Sequence, residues 1–219
     1  MIFGILSDQK KAQEVNDFNK NREIVGDADI DKICKDYLKD NLKSMALKKL
    51  GIDEEQVREA NPISMDSYIF ENLILATCRE KEGNDGKTRS STYNATMFLF
   101  SKEQIFYYSL TFSLLKNVKK ETTVECFYND IVSVKTESEI IALNSNKKDK
   151  DGNDVKDADG KEVKNTINID DFVLTTSGGT QMKARVCDIG YENANSIQGM
   201  KNLLRTKKQV DIEALYRKG

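Results

Sequence analysis

The sequence contains no histidine. This absence excludes Ser-His-Asp and Cys-His catalysis, zinc sites built on histidine and a histidine general base. Mechanisms that use carboxylates, lysine or a metal held by other ligands stay open. CxxC pairs are also missing, and the scattered cysteines lie in apolar or helical runs, so we expect reduced, buried thiols. The cysteines are Cys34, Cys78, Cys126 and Cys187.

Long apolar runs and an excess of basic charge are missing as well. No window approaches the roughly 18–20 apolar residues of a membrane span. The apolar start at residues 1–6 is too short for the core of a signal peptide, so we expect a cytoplasmic protein. The formal net charge of −2 argues against a domain that neutralises many phosphates, and hence against nucleic acid as a partner.

Proline occurs once, at Pro62, and we place a domain boundary near it. Before it, apolar residues recur at helical spacing from Ile30 to Leu50, which predicts a helix with one apolar face that ends at Gly51. Region 1–65 is therefore predicted to be helical, with a polar helix before this one and a short helix after it. The apolar face packs either on the rest of the chain or in a homo-oligomer formed through these helices.

After Pro62 the apolar pattern becomes that of β-strands. A Gly-Gly pair at 178–179 predicts a hairpin turn. The run 144–165 is rich in Lys, Asp, Asn and Gly, which predicts a long exposed loop or flexible hairpin tip. The predicted strands cover residues 67–78, 92–100, 104–111, 122–128, 131–136 with an extension to 143 left open, 166–176 and 181–187. A helix at 194–207 follows, and the tail 209–219 either extends it or forms a short helix.

Seven strands followed by one helix, with no helix between strands, resemble the pleckstrin-homology-like (PH-like) superfold, including bacterial PH-like and GRAM-type domains. Three motifs carry the resemblance: MFLFSKEQIFYYSL at 97–110, FYNDIVSVKT at 127–136 and FVLTTSGGTQMKARV at 172–186. The resemblance implies an α+β fold in which residues 66–208 form a seven-stranded antiparallel β-barrel capped by the C-terminal helix. It does not imply a function, because this fold hosts many unrelated roles.

Two basic clusters are candidate sites. In lipid-binding PH domains, the loop between the first two strands carries basic residues that cradle inositol phosphates. The corresponding loop here fits loosely, although it also holds three acidic residues that would oppose an anionic headgroup. The alternative for both clusters is a charged, solvated loop. The candidate ligand-binding residues are Lys81, Lys87, Arg89, Lys116, Lys119 and Lys120.

The acidic run at 149–153 begins like an EF-hand calcium loop. The match then fails, because Asp154 stands where the loop needs glycine and Gly160 where it needs a bidentate glutamate. A second start at 157–160 fails likewise. We expect a solvated loop and no metal site, with weak adventitious calcium binding as the alternative.

A group of aromatic residues invites two interpretations. They form a hydrophobic core, which we expect, or a stacking platform for single-stranded nucleic acid. The residues are Tyr93, Phe98, Phe106, Tyr107, Tyr108 and Phe112.

These patterns favour a non-enzymatic interaction module without a cofactor, with a protein as its partner. The competing hypothesis is peripheral membrane binding through anionic lipid headgroups, which requires the six basic candidates to converge on one rim. A third hypothesis, an enzyme, requires two carboxyl groups that face each other in a pocket, one with a raised pKa.

Overall fold

A computed structural model of the 219-residue chain describes residues 27–73, 76–83, 85–147, 153–187 and 197–208. The helix α1 spans Asp27–Leu50, and residues 197–208 are helical and are called α2. Short 3-10 helices lie at Glu54–Val57 and Tyr128–Asp130. The strands are β1 Ile63–Ile69, β2 Glu80–Glu82, β3 Thr88–Ser90, β4 Thr92–Phe100, β5 Gln104–Ser113, β6 Lys119–Phe127, β7 Ile131–Asn146, β8 Lys164–Thr176 and β9 Gln181–Cys187.

The strands form three separate antiparallel sheets. A four-stranded sheet has the order β1-β4-β5-β6, a three-stranded sheet has the order β7-β8-β9, and β2 pairs with β3 alone. The predicted seven-stranded PH-like barrel is therefore wrong: the described residues form nine strands, and none of the sheets that they build closes. The corner at Tyr128–Asp130 separates β6 from β7, and β9 passes β1 without joining its hydrogen-bond ladder.

Helix α1 covers one face of the four-stranded sheet. Its buried side chains Tyr37, Leu38, Leu42 and Ala46 belong to one core cluster with the sheet residues on that face. Gly51 follows with φ of 69°, a left-handed conformation that glycine adopts without strain. Most of the predicted apolar stripe thus packs within the chain, although Ile33 keeps 47% exposure. The homo-oligomer alternative for this face stays a prediction. The polar helix predicted before it lies outside the described residues.

Strand β4, in the middle of the four-stranded sheet, is covered on both faces. Every one of its residues is buried, and alternate side chains of a strand point to opposite sides of the sheet. The outer strand β6 is mostly exposed. Met97 and Leu99 face α1, whereas Phe98 and Phe100 face the three-stranded sheet and α2. The molecule is therefore layered in the order α1, four-stranded sheet, three-stranded sheet with α2.

The aromatic group predicted to form a core does so. All six side chains are buried, which confirms the core interpretation and shows that a nucleic-acid stacking platform at these rings is wrong. Phe98 lies at the centre of the inter-sheet core, with ring centroids 5.4 Å from Tyr107 and 6.0 Å from Phe172.

Two predicted segments differ from the structure. The strand expected over 67–78 ends at Ile69, and the chain then forms the β2–β3 hairpin, which was not predicted. The loop expected over 144–165 is partly β-structure. Val155 donates a backbone hydrogen bond of 2.9 Å to Lys147, and Val163 donates one of 2.8 Å to Val155.

The thiols follow the prediction in part. Cys34 and Cys126 are free and buried, whereas Cys78 is free but only half-buried. Burial raises the pKa of Cys34 to about 12 and that of Cys126 to about 11, so these thiols are poor nucleophiles. The side chain of Cys187 lies outside the described residues. Among the helices that the structure describes, none is long and apolar enough to span a membrane.

Candidate functional site

Arg89 is a buried structural arginine. Its Nε and Nη2 donate to the two carboxylate oxygens of Asp31 on α1 at 2.9 and 2.7 Å. Its Nη1 and Nη2 donate to Asp85 at 2.9 and 2.8 Å. Two bidentate carboxylate contacts are the strongest arrangement open to a guanidinium. Arg89 thereby ties the β2–β3 hairpin to α1.

The electrostatics at Arg89 agree with this geometry. Hydrogen bonds from Arg89 hold the pKa of Asp85 far below its usual range. Burial raises the pKa of Asp31, but the hydrogen bonds from Arg89 and Tyr68 outweigh it and leave this pKa below its usual value. Both carboxyl groups are therefore ionised at neutral pH, and the donors of Arg89 are already committed to them.

The other basic candidates lie in the β2–β3 hairpin, in the β5–β6 turn and on both faces of β6. Lys81 pairs in register with Arg89, and Lys87 is exposed in the same hairpin. Lys119 bonds Glu121 at 3.0 Å on the α1 side of β6. Lys120, the next residue, points to the opposite side of the sheet.

The two basic loops do meet at one end of the four-stranded sheet. Leu114, next to the turn that carries Lys116, donates a backbone hydrogen bond of 2.8 Å to Ser91, two residues after Arg89. The side chains nevertheless do not share a rim, because Arg89 is buried and Lys119 and Lys120 diverge. The structure thus gathers three candidates in one hairpin but does not join all six into one basic surface.

The second EF-hand-like segment, at 157–160, forms a turn that the side chain of Asp157 closes. Asp157 Oδ1 accepts hydrogen bonds of 2.9 Å from the backbone N–H groups of Asp159 and Lys161. Gly160 follows with φ of 79°, which completes the turn. The start at 149–152 lies outside the described residues. Within the part of the chain that is described, no group of three or more acidic or cysteine side chains is placed to hold a metal ion.

A cleft of about 360 Å³ opens where β9 passes the end of the four-stranded sheet. Its rim carries three cationic side chains from two strands. These are Lys120 on β6, and Lys183 and Arg185 on β9. Lys120 was a sequence candidate, whereas Lys183 and Arg185 were not.

Arg185 is held in place by carboxylates. Its Nε and Nη2 donate to Asp171 on β8 at 2.9 and 3.2 Å, and its Nη1 donates to Glu71 at 2.7 Å. Lys183 Nζ lies 2.6 Å from Asp171 Oδ2. Burial raises the pKa of Asp171, but Arg185 and Lys183 outweigh it, so the pKa falls below its usual value.

The floor of the cleft is a hydrogen-bonded network on β4 and β5. Asn94 Nδ2 donates to Thr111 Oγ1 at 2.8 Å and to Ser109 Oγ at 3.0 Å, and Asn94 Oδ1 accepts from Thr96 Oγ1 at 3.2 Å. Because Thr111 Oγ1 accepts from Asn94, its own proton remains available to a group in the cleft.

The predicted turn does not give the Asp171–Arg185 pair. A two-residue turn at Gly178-Gly179 would place Arg185 opposite Phe172, whereas the observed loop has three residues and sets Asp171 opposite Arg185. Glu71 could not be found from the hairpin at all, because it lies 114 residues from Arg185.

A second accessible feature is the outer edge of β7. In the described part of the chain, β7 pairs with β8 and with no other strand. Two exposed apolar side chains lie along it, Val132 at 62% and Ile140 at 70% exposure. A register shift between Ile131 and Ser133 leaves Val132 without a Cα partner on β8. Lys208 of α2 donates to the carbonyl of Ile131 at the start of this edge.

Comparisons of the chain with protein-family models, curated proteins and solved structures give no match. They therefore identify neither a PH-like nor a GRAM-type domain, and the resemblance of the three motifs stays a prediction.

Proposed function

We propose that this chain is a non-enzymatic binding module that takes an extended segment of a protein partner along the outer edge of β7. The observation that supports this proposal is the middle of the 16-residue strand β7, which pairs with β8 alone among the described strands. Its two ends are covered, since Glu80 accepts from the backbone N–H groups of Asn144 and Ser145 and Lys208 donates to the carbonyl of Ile131. An edge strand presents a row of backbone N–H and C=O groups that only another extended chain can pair in full.

The side chains along the edge suit such a partner. Val132 and Ile140 are eight positions apart, or about 26 Å along an extended strand at ~3.3 Å per residue. A peptide of about eight residues would therefore reach both. Its backbone would supply affinity, and contacts with these two side chains would supply selectivity.

Charged residues lie between the two apolar positions. Lys135 and Glu137 form an exposed ion pair of 2.6 Å, and Glu139 is exposed as well. Charges on an edge strand discourage unspecific pairing with other strands. A partner with opposite charges at the facing positions would be preferred over an arbitrary extended segment.

The placement of the basic candidates does not favour the membrane alternative. Arg89 is buried against two carboxylates, and Lys119 and Lys120 point to opposite faces. A headgroup site needs several cations on one surface.

Selection from a displayed peptide library tests the proposal. We expect the purified chain to enrich extended peptides with β-branched or aromatic residues. Binding of these peptides should weaken at least about tenfold in Val132→Asp and in Ile140→Lys, because each places a charge on the apolar contact. Leu115→Lys is the matched control, since Leu115 is also exposed but lies in the β5–β6 turn.

Two results would contradict the proposal. One is a selection that enriches no sequence. The other is equal binding of the enriched peptides to the wild-type chain and to both β7 variants. Binding of the wild-type chain to vesicles that contain anionic lipid, lost in Lys87→Ala, would favour the membrane alternative instead.

A further inference from the structure

We propose that the cleft between β6 and β9 is a binding site for a small organic carboxylate, and that Glu71 is its internal competitor. The cleft lies at the β9 edge of the three-stranded sheet, whereas the proposed partner edge is β7. The two proposals are therefore independent.

Glu71 shows which chemistry the cleft accepts. Its side chain is 68% exposed, yet its carboxylate reaches the 11% exposed side chain of Arg185. Nη1 of Arg185 thus donates a hydrogen bond to a carboxylate on the solvent side of the cleft. An ion pair with one largely exposed partner contributes little stability. An external carboxylate can therefore replace Glu71 at small cost.

The remaining donors of Arg185 are fixed in direction. Asp171 takes Nε–H and one N–H of Nη2, which fixes the plane of the guanidinium. A guanidinium carries five N–H donors. With Glu71 displaced, both N–H groups of Nη1 and one of Nη2 remain for a ligand. A planar carboxylate matches such adjacent donors and can accept from two of them at once.

The charge around the cleft favours an anion. Lys120, Lys183 and Arg185 contribute three positive charges, and Asp171 and Glu71 contribute two negative ones, which leaves a net charge of +1. Displacement of Glu71 raises this to +2. Lys120 makes no ion pair with any residue in the described ranges, so its ammonium group is available to a ligand.

Buried hydroxyl groups on the same side of the sheet lack good partners. Ser67 on β1 pairs in register with Asn94, and its buried Oγ has no hydrogen-bond partner among the described residues. Buried Thr92 Oγ1 has no hydrogen bond of ordinary geometry with a described residue and interacts with the Cys78 thiol, a weak acceptor. Buried polar atoms without partners are rare and mark places where water or a ligand completes the hydrogen bonding.

Titration of the ¹⁵N-labelled full chain with acetate and succinate, followed by NMR, tests the proposal. Sodium chloride at matched ionic strength is the reference. We expect saturable shifts of the Asn94 side-chain amide and of the Thr92 and Thr111 backbone amides, with Kd on the order of millimolar.

Three exposed substitutions make the test specific. Glu71→Gln removes the competitor and should tighten binding about three- to tenfold, whereas Lys120→Ala should weaken it by a similar factor. Lys119→Ala is the matched control, because it removes the same charge from the neighbouring residue on the opposite face of β6. Its affinity should equal that of the wild-type chain.

Several outcomes would overturn the proposal. Shifts no larger than those with chloride exclude an anion site. Equal losses of affinity in Lys119→Ala and Lys120→Ala would show that the ligand responds to the overall charge of the protein and not to this cleft. Unchanged affinity in Glu71→Gln would show that Glu71 does not compete with the ligand. Phosphate that binds at least about tenfold tighter than succinate would exclude the carboxylate class. None of these results affects peptide binding at β7, so the two proposals fail separately.

Discussion

Replacing Phe98 by alanine is expected to lower the free energy of unfolding by about 3–5 kcal/mol, the usual cost of truncating a buried phenylalanine. Phe98 is fully buried between the two larger sheets and packs on Tyr107 and Phe172. The four-stranded sheet is covered by α1 on its other face, so neither neighbouring layer can collapse freely into the cavity. Urea denaturation measures the loss.

Phe127→Ala is the control for this experiment. Phe127 ends β6, and its side chain is 50% exposed. Removing it should change the free energy of unfolding by less than about 1 kcal/mol, because far less apolar area is lost from contact. Similar losses in the two variants would mean that Phe98 does not lie in an inter-sheet core.

Arg89→Ala is expected to lower the free energy of unfolding by about 2–3 kcal/mol. Removing one member of a buried ion pair typically costs about 3–5 kcal/mol. The cost is smaller here because Asp31 and Asp85 keep 30% and 42% side-chain exposure and can be hydrated. Loss of the contact to Asp31 should also speed amide hydrogen exchange in the β2–β3 hairpin.

Lys87→Ala separates the structural role of Arg89 from a binding role. Lys87 is exposed in the same hairpin and belongs to the same basic pattern. Its removal should change stability by less than about 0.5 kcal/mol. If Arg89→Ala unfolds at the same urea concentration as Lys87→Ala, the buried Asp31–Arg89–Asp85 contact does not stabilise the fold.

The sequence predicted local structure well where periodicity is strong. The strand at 92–100 was predicted with its observed bounds, and α1 ends before Gly51 as expected. Both predictions depend on neighbours within one element. A strand that is buried on both faces has a continuous apolar run in its sequence. A helix that covers a sheet has apolar residues at helical spacing, which form one stripe along its surface.

Contacts between residues far apart in the sequence could not be predicted from local patterns. The barrel was inferred from the order of strands, but closure requires ladder hydrogen bonds of β6 with β7 and of β9 with β1, and neither pairing occurs among the described residues. Arg89 matched a phosphate-binding pattern because its sequence neighbours are basic. Its actual partner Asp31 lies 58 residues away on α1, and no local pattern links the two.

The layered arrangement determines where binding can occur. Strand β4 is buried along its whole length, so the four-stranded sheet reaches the cleft only at one end, where Thr92 and Asn94 line it. Accessible backbone and polar side chains are found at the edge of β7 and in this cleft beside β9. Neither feature follows from the composition, because both depend on how the sheets end.

Hydrogen exchange of the β7 amides, measured residue by residue by NMR, tests the central claim that β7 is an open edge of a separate sheet. In an antiparallel pair, alternate N–H groups of an edge strand point away from its partner. We expect every second amide between Ser133 and Ile141 to exchange at least about 100-fold faster than its neighbours, while β4 amides are protected throughout. Uniform protection along β7 would show a closed edge and would contradict both the separate sheets and the proposed function.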